Sequence, residues 1–186
     1  MKLVIVEGTD RTGKDTLVDR LVQEHRNVVK RHWGFPQGST NEEKTRHQKM
    51  SFQEEFELWD YMATIGPEDM IMFWNRSHVG EFVYGTIYRN SQPEDWVWDL
   101  EEEYNMDKVD DVYLVLLYAD PEFIVAKEDG KSYSTELSYK EVEISTFLEA
   151  FDESKIRRKL KIKVNSGTDY IDKEEIYNQV KSFIHE

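Results

Sequence analysis

The chain has 186 residues, enough for one domain that buries most of its apolar surface, and no cysteine, which excludes a disulfide framework or a thiolate metal site. Its formal net charge of −14 argues against a broad electrostatic footprint on nucleic acid, because such binding leans on clustered Lys and Arg. No apolar run approaches the ~20 residues needed to cross a bilayer and no signal peptide is evident, so the expectation is a soluble cytoplasmic protein with no membrane partner.

In chain order, strands and helices alternate. Leu3 to Val6 is a continuous apolar run that reads as a buried parallel strand, and a helix carrying Leu17, Leu21 and Val22 follows. Val28, Val29, His32 and Trp33 suggest a second strand, ended by the proline- and glycine-bearing loop Gly34 to Thr40. From Asn41 the composition becomes helical, and Phe52, Phe56, Trp59 and Ala63 recur at helical spacing to give one apolar face. Gly66-Pro67 ends that helix, and Met70 to Trp74 reads as a third strand with Asn75-Arg76-Ser77-His78 at its carboxyl end, where open α/β sheets place ligands.

Val79 to Tyr88 reads as a helix, and Pro93 opens another that contains Trp96 and Trp98. Val112 to Tyr118 is the clearest central strand, and Asp120-Pro121 signals the start of a helix. The polar, glycine-broken stretch Lys127 to Ser132 makes 120–140 a candidate lid. A helix with Val142, Ile144, Phe147, Leu148 and Phe151 then leads to the strand Leu160 to Val164. Its flanking Arg157, Arg158, Lys159, Lys161 and Lys163 imply a half-exposed edge. A last helix shows Ile176, Val180, Phe183 and Ile184. The expectation is one doubly wound α/β domain over 1–186, with a five-stranded parallel sheet flanked by helices.

The chemistry concentrates in the turn after the first strand. Gly8, four residues, then Gly13-Lys14 is the spacing of a loop that wraps phosphates with consecutive backbone N–H groups, with the next helix pointing its positive end at the same anion. Gly8, Thr9, Asp10, Arg11, Thr12, Gly13, Lys14, Asp15 and Thr16 form that candidate cradle, with Lys14 supplying a mobile charge. The pattern asks for Ser or Thr after the lysine to ligate magnesium, and here Asp15 stands there with Thr16 behind it. A carboxylate at that point ligates the metal, repels phosphates without it, or acts as a favourable charge in the first helical turn.

VEGTDRTGKDTL resembles the phosphate loop of thymidylate kinases, with Glu7, Asp10, Gly13, Lys14 and Thr16 in place and Arg11 matching a branch that carries an arginine after the loop aspartate. Phe35-Pro36 is similar to the family's Phe-Pro motif, but Gly38 stands where the family has an arginine that grips the acceptor monophosphate, leaving Lys44 or Arg46 as substitutes. Asn75-Arg76-Ser77 resembles Asp-Arg-Tyr of thymidylate kinases and Glu-Arg-Ser of deoxynucleoside kinases. NRSHVGEFVYG with EDGKSYS looks like the thymidylate-kinase-like proteins of bacterial viruses.

The resemblance implies a magnesium- and ATP-dependent kinase acting on a pyrimidine deoxynucleoside monophosphate. Lys14, Arg11 and Asp10 would be catalytic, Asp15 and Thr16 would hold the metal, and Phe35, Asn75, Arg76, Glu81 and Tyr84 would face the substrate. Trp59, Tyr61 and Tyr88 are further stacking candidates. A homodimer is also implied, with the aromatic helix from Phe52 as a candidate interface, although a core stripe reads identically. The lid candidate holds no arginine, only Lys127 and Lys131, as that branch implies. Alternatives are a deoxynucleoside kinase with Glu7 or Asp10 as base, a kinase for hydroxymethylpyrimidine in DNA, and a nucleotide-binding module without turnover.

Overall fold

The computed structural model describes residues 1–130 and 132–185. A five-stranded, wholly parallel sheet runs in the order β2-β3-β1-β4-β5, built from β1 (Lys2–Gly8), β2 (Val28–His32), β3 (Ile71–Asn75), β4 (Val112–Tyr118) and β5 (Arg158–Lys163). The three inner strands are apolar on both faces because helices cover both, the usual condition for parallel sheets. Successive residues point to opposite layers. Leu3, Ile5, Met72, Trp74, Leu114 and Leu116 pack against α2 (Asn41–Ile65), α3 (His78–Tyr84), α4 (Glu94–Glu103) and α6 (Leu137–Glu153). Val4, Val6, Phe73, Val115 and Leu117 meet α1 (Lys14–Glu24), α5 (Pro121–Ala126) and α7 (Lys173–His185).

The aromatic stripe of α2 is core. Phe52, Phe56 and Trp59 are buried against Trp74, Tyr104 and Trp96, but Ala63 is exposed and the half-buried Met62 continues the packing in its place. A face at i+3 from Trp59 stays on the helix's inner side, whereas i+4 has here turned off it. Val142 of α6 is likewise outward, at 47% exposure, because Lys140 and Glu143 occupy the inward positions as a buried pair. β5 is an edge strand on which Lys161 and Lys163 are exposed, while Lys159 is half-buried and donates to the carbonyls of Phe151, Asp152 and Ser154 at the end of α6.

Two features depart from the expected elements. The helix predicted over 79–88 changes at Gly85 into a π-helical turn, Gly85–Arg89, and this wider turn carries Arg89 inward onto Glu81. After β5, a short antiparallel hairpin of β6 (Asn165–Ser166) and β7 (Asp169–Tyr170) leads into α7. Within 120–140, α5 buries Phe123 and Ile124 and α6 begins at Leu137, so the stretch without regular structure is 127–136; Lys131 lies outside the described residues. No helix among the described residues is long and apolar enough to cross a membrane.

Candidate active site

The loop between β1 and α1 sits at the carboxyl ends of the strands, with β3 and β4 on either side of β1. Gly8 has φ +141°, and a Cβ there would stand 1.9 Å from the Leu117 carbonyl oxygen, so the loop leaves the sheet in a conformation and at a distance that only glycine permits. Gly13, at φ +85°, opens α1 as its N-cap. Arg11 is also left-handed, at φ 67°. Between them the main-chain N–H groups of residues 9–16 have no acceptor among the described residues, while the Thr12 hydroxyl bonds the Thr9 carbonyl at 2.8 Å and braces the turn. Unengaged amides converging at a helix start make an anion cradle.

Lys14 is buried at 5% exposure, and its Nζ donates to the carbonyls of Gly8 and Thr9, both at 2.7 Å. Burial, reinforced by the Arg76 charge, pushes its ammonium down to about 8 despite the carboxylates of Asp10 and Glu7. Arg11 forms an ion pair with Asp129 in the 127–136 stretch, and its carbonyl accepts from the Tyr170 hydroxyl at 2.7 Å, so the β6–β7 hairpin straps the loop.

The end of β3 closes the other side. Arg76 takes a left-handed backbone, φ 72°, and its N–H bonds the Val6 carbonyl at 3.0 Å, which ties the end of β3 to β1. Non-glycine residues in that region are costly and gather at functional sites. The Arg76 guanidinium donates to Asp10 at 2.7 Å. Burial works to raise the Asp10 carboxyl, but the Lys14 and Arg76 charges hold it below the usual range. Asn75 is fully buried. Its amide donates to Asp15, and its own Oδ1 has no partner. Burial opposes ionisation of Asp15 too, yet the Asn75 bond and the Lys14 charge keep its carboxyl low. Thr16 is exposed on the next position of α1.

Glu7 is used inside the protein. Its Oε1 accepts from Ser77 Oγ at 2.7 Å and from the Gly80 N–H at 2.9 Å, and burial raises its carboxyl against those bonds. With Asp10 bonded to Arg76, neither carboxylate offered as a base stands unengaged.

Two cavities flank this line. The larger, about 710 Å3, runs from the loop across Arg20, Leu117, Tyr170 and Tyr177. The smaller, about 130 Å3, lies between β2, α2 and α3, walled by Trp33, Phe52, Gln48, Glu81, Tyr84 and Arg89. Phe35 and Arg76 belong to both.

The outcome for the other sequence candidates is mixed. Phe35 is 67% exposed and meets Tyr133 edge-on, and Tyr84 is buried with its hydroxyl unpartnered. Glu81, expected to face the substrate, lines the smaller cavity but is 3% exposed and paired with Arg89, and burial lifts its carboxyl to about 7 against that pairing. Trp59 is core, Tyr61 is exposed on α2, and Tyr88 stacks on Tyr133 with centroids 4.7 Å apart; none of the three lines either cavity. Lys44 and Arg46 line neither cavity. Gly38 has φ +141° with Glu43 Cβ 2.7 Å from where its own would stand, so a side chain is excluded at the place of the missing arginine. Arg89, Gln48, Tyr133 and Tyr170 were not legible as site residues. Arg89 reaches the smaller cavity only through the π-helical turn, and Tyr170 reaches the larger one only through a hairpin too short to show a strand pattern.

No family model matches the sequence, and no curated protein does. Solved structures do resemble it. The YorR protein of Bacillus subtilis, solved in complex with phosphorylated GDP, superposes with a TM-score of 0.63 at 18% identity, covering 99% of this chain and 96% of that one. Thymidylate kinase from Candida albicans gives a TM-score of 0.64 at 13% identity, with 99% and 91% covered. At those identities the likeness is one of architecture, and the five-stranded parallel sheet with helices on both faces is the P-loop kinase fold.

Proposed function

We propose that the protein is a nucleotide kinase that transfers the γ-phosphoryl group of ATP to a pyrimidine deoxynucleoside monophosphate. The observation that carries this reading is the meeting of the two cavities at Arg76, the larger walled by a loop whose amides are unengaged and the smaller by aromatic rings. A donor triphosphate in the first and an acceptor in the second would bring the migrating group between Lys14, Arg11 and Arg76. Phosphoryl transfer asks mainly for such positioning and for cations around the transferred oxygens. Arg89 adds a second guanidinium on the acceptor side, in place of the arginine that Gly38 excludes.

A magnesium ion fits the residues present. Asp15 offers a carboxylate at the first turn of α1, Thr16 follows, and the orphaned Oδ1 of buried Asn75 lies beside them. No group of three or more His, Asp or Glu with metal-holding geometry exists among the described residues, and none is needed where one carboxylate and substrate phosphates share the ion. Bound there, the ion would neutralise charge on the β and γ phosphates. The Asp15–Asn75 contact supports an exchange of roles, with the negative charge moved from the strand end to the loop. Asp15→Ser should then lower activity and magnesium affinity; an unaltered magnesium titration would refute the exchange.

Phosphorylation of an unmodified nucleoside is the second reading. It is favoured by the pairing of each acceptor-side guanidinium with a carboxylate, Arg76 with Asp10 and Arg89 with Glu81. Incubation with ATP and magnesium against a panel of pyrimidine deoxynucleosides and their monophosphates decides between them. Turnover of none would sink both.

A further inference from the structure

The parallel register of β2 on β3 sets His32 beside Asn75, and partners in register point to the same face of the sheet, here the face that α1 covers. Two residues earlier on that face, Lys30 closes on Asp19 of α1 as an ion pair. At the start of α1 the next rung stays open. His32 Nδ1 stands 3.9 Å from Asp15 Oδ1, beyond hydrogen-bond distance. Asn75, whose amide donates to that same carboxylate oxygen, is fully buried and leaves its own Oδ1 without a partner. An imidazole, a carboxylate and an unpaired amide oxygen are thereby gathered from β2, α1 and β3. Two donors each about 2.1 Å from a shared ion stand about 3.0 Å apart at a right angle and about 4.2 Å apart when opposed. The 3.9 Å between His32 and Asp15 falls inside that span, so one ion joins them with neither side chain displaced. Asp15 walls the larger cavity and His32 the smaller, which puts such an ion on the divide between the two.

We propose that His32 is a metal ligand beside Asp15, and that the site takes a divalent first-row transition ion in preference to magnesium. Magnesium binds oxygen donors and sheds its waters reluctantly, so an imidazole offers it little. Transition ions accept imidazole readily, and their affinity for mixed nitrogen and oxygen sites rises from manganese through cobalt to nickel. The side chains of His32 and Asp15 are 47% and 74% exposed, which leaves the remaining coordination positions open to phosphate oxygens and water. The proposal deepens the kinase reading, since it rests on the ion site at Asp15 and adds a ligand from a different strand.

The test is pulsed electron paramagnetic resonance of manganese(II) bound to the full chain, alone and with ADP, in protein made with ordinary or with nitrogen-labelled histidine. The unaltered protein should show a nitrogen coupling on the ion that changes with the label, and His32→Asn should lose it. In equilibrium competition on the ADP complex, the preference for cobalt(II) over magnesium should fall about ten- to a hundred-fold in His32→Asn, the order of loss seen when a metal site is altered by one residue. The preference of the nucleotide itself is common to both proteins and cancels. A metal-free urea midpoint equal to that of the unaltered protein reports an intact variant. Three results overturn the proposal: no label-dependent coupling in the unaltered protein, a coupling retained in His32→Asn, or a cobalt preference that the variant leaves unchanged. A histidine-bound ion in a protein that phosphorylates no nucleoside or nucleotide would keep the ligand and remove the kinase. Phosphoryl transfer with magnesium and no histidine on the ion would do the reverse.

Discussion

Lys14 should take up a proton when a triphosphate binds. Its ammonium is buried among Glu7, Asp10, Asp15 and Arg76, and burial is the largest influence, bringing it from 10.5 to about 8. With the folded value below the unfolded one, the unfolded chain holds more protons between about pH 8 and 10.5. This residue's contribution therefore makes stability rise with pH across that window, and the charged form is the disfavoured one in the fold. A polyphosphate against Nζ reverses the preference, since an adjacent opposite charge favours the ammonium. At pH 8 the free protein has about half of its Lys14 charged, so binding draws in about half a proton per site; at pH 6.5 the uptake is near zero.

The assay is calorimetry at pH 8 with a nonhydrolysable ATP analogue and saturating magnesium, in buffers of differing ionisation enthalpy. The slope of apparent enthalpy against buffer enthalpy gives the proton count. Affinity should also fall up to about tenfold per pH unit above pH 8. Lys14→Met, with nothing to protonate, should abolish the uptake. Binding of the analogue to the unaltered protein at pH 8 with no proton uptake would show that the phosphates do not reach Lys14.

Three further outcomes follow from packing. Gly8→Ala places a methyl 1.9 Å from the carbonyl of Leu117 in a central strand and imposes a strained φ, so urea unfolding should show a loss of about 2–4 kcal/mol with nucleotide binding impaired. Gly38→Arg, which copies the thymidylate kinase pattern, should destabilise by about 1–3 kcal/mol at the start of α2 rather than improve monophosphate affinity; a lower KM for monophosphate in the variant would contradict this. Thr40→Ala removes the side chain that accepts from the Glu43 N–H in the α2 capping box, at a cost of about 1 kcal/mol read from the shift in denaturation midpoint.

Much of the architecture was legible because it is local. The apolar runs of β1, β3 and β4, the Asp120-Pro121 start of α5, and the alternating lysines of β5 each carry their own periodicity or end signal, and strands buried on both faces read as unbroken hydrophobic stretches. The turn between β1 and α1 was legible for a stricter reason: glycines at 8 and 13 are demanded by backbone conformation and close approach, which sequence spacing records directly. The lining of the smaller cavity was not. Gln48, Arg89 and Tyr133 come from α2, the π-helical turn and the 127–136 stretch, and no spacing along the chain encodes their convergence. Burial of Glu81 was hidden too, since a glutamate among aromatics reads as solvated until an arginine eight residues later is turned inward to meet it. Local hydrogen bonding and periodicity determined the elements and the cradle, whereas partners for buried polar groups are chosen by the packing of distant segments, and only the tertiary structure decided those.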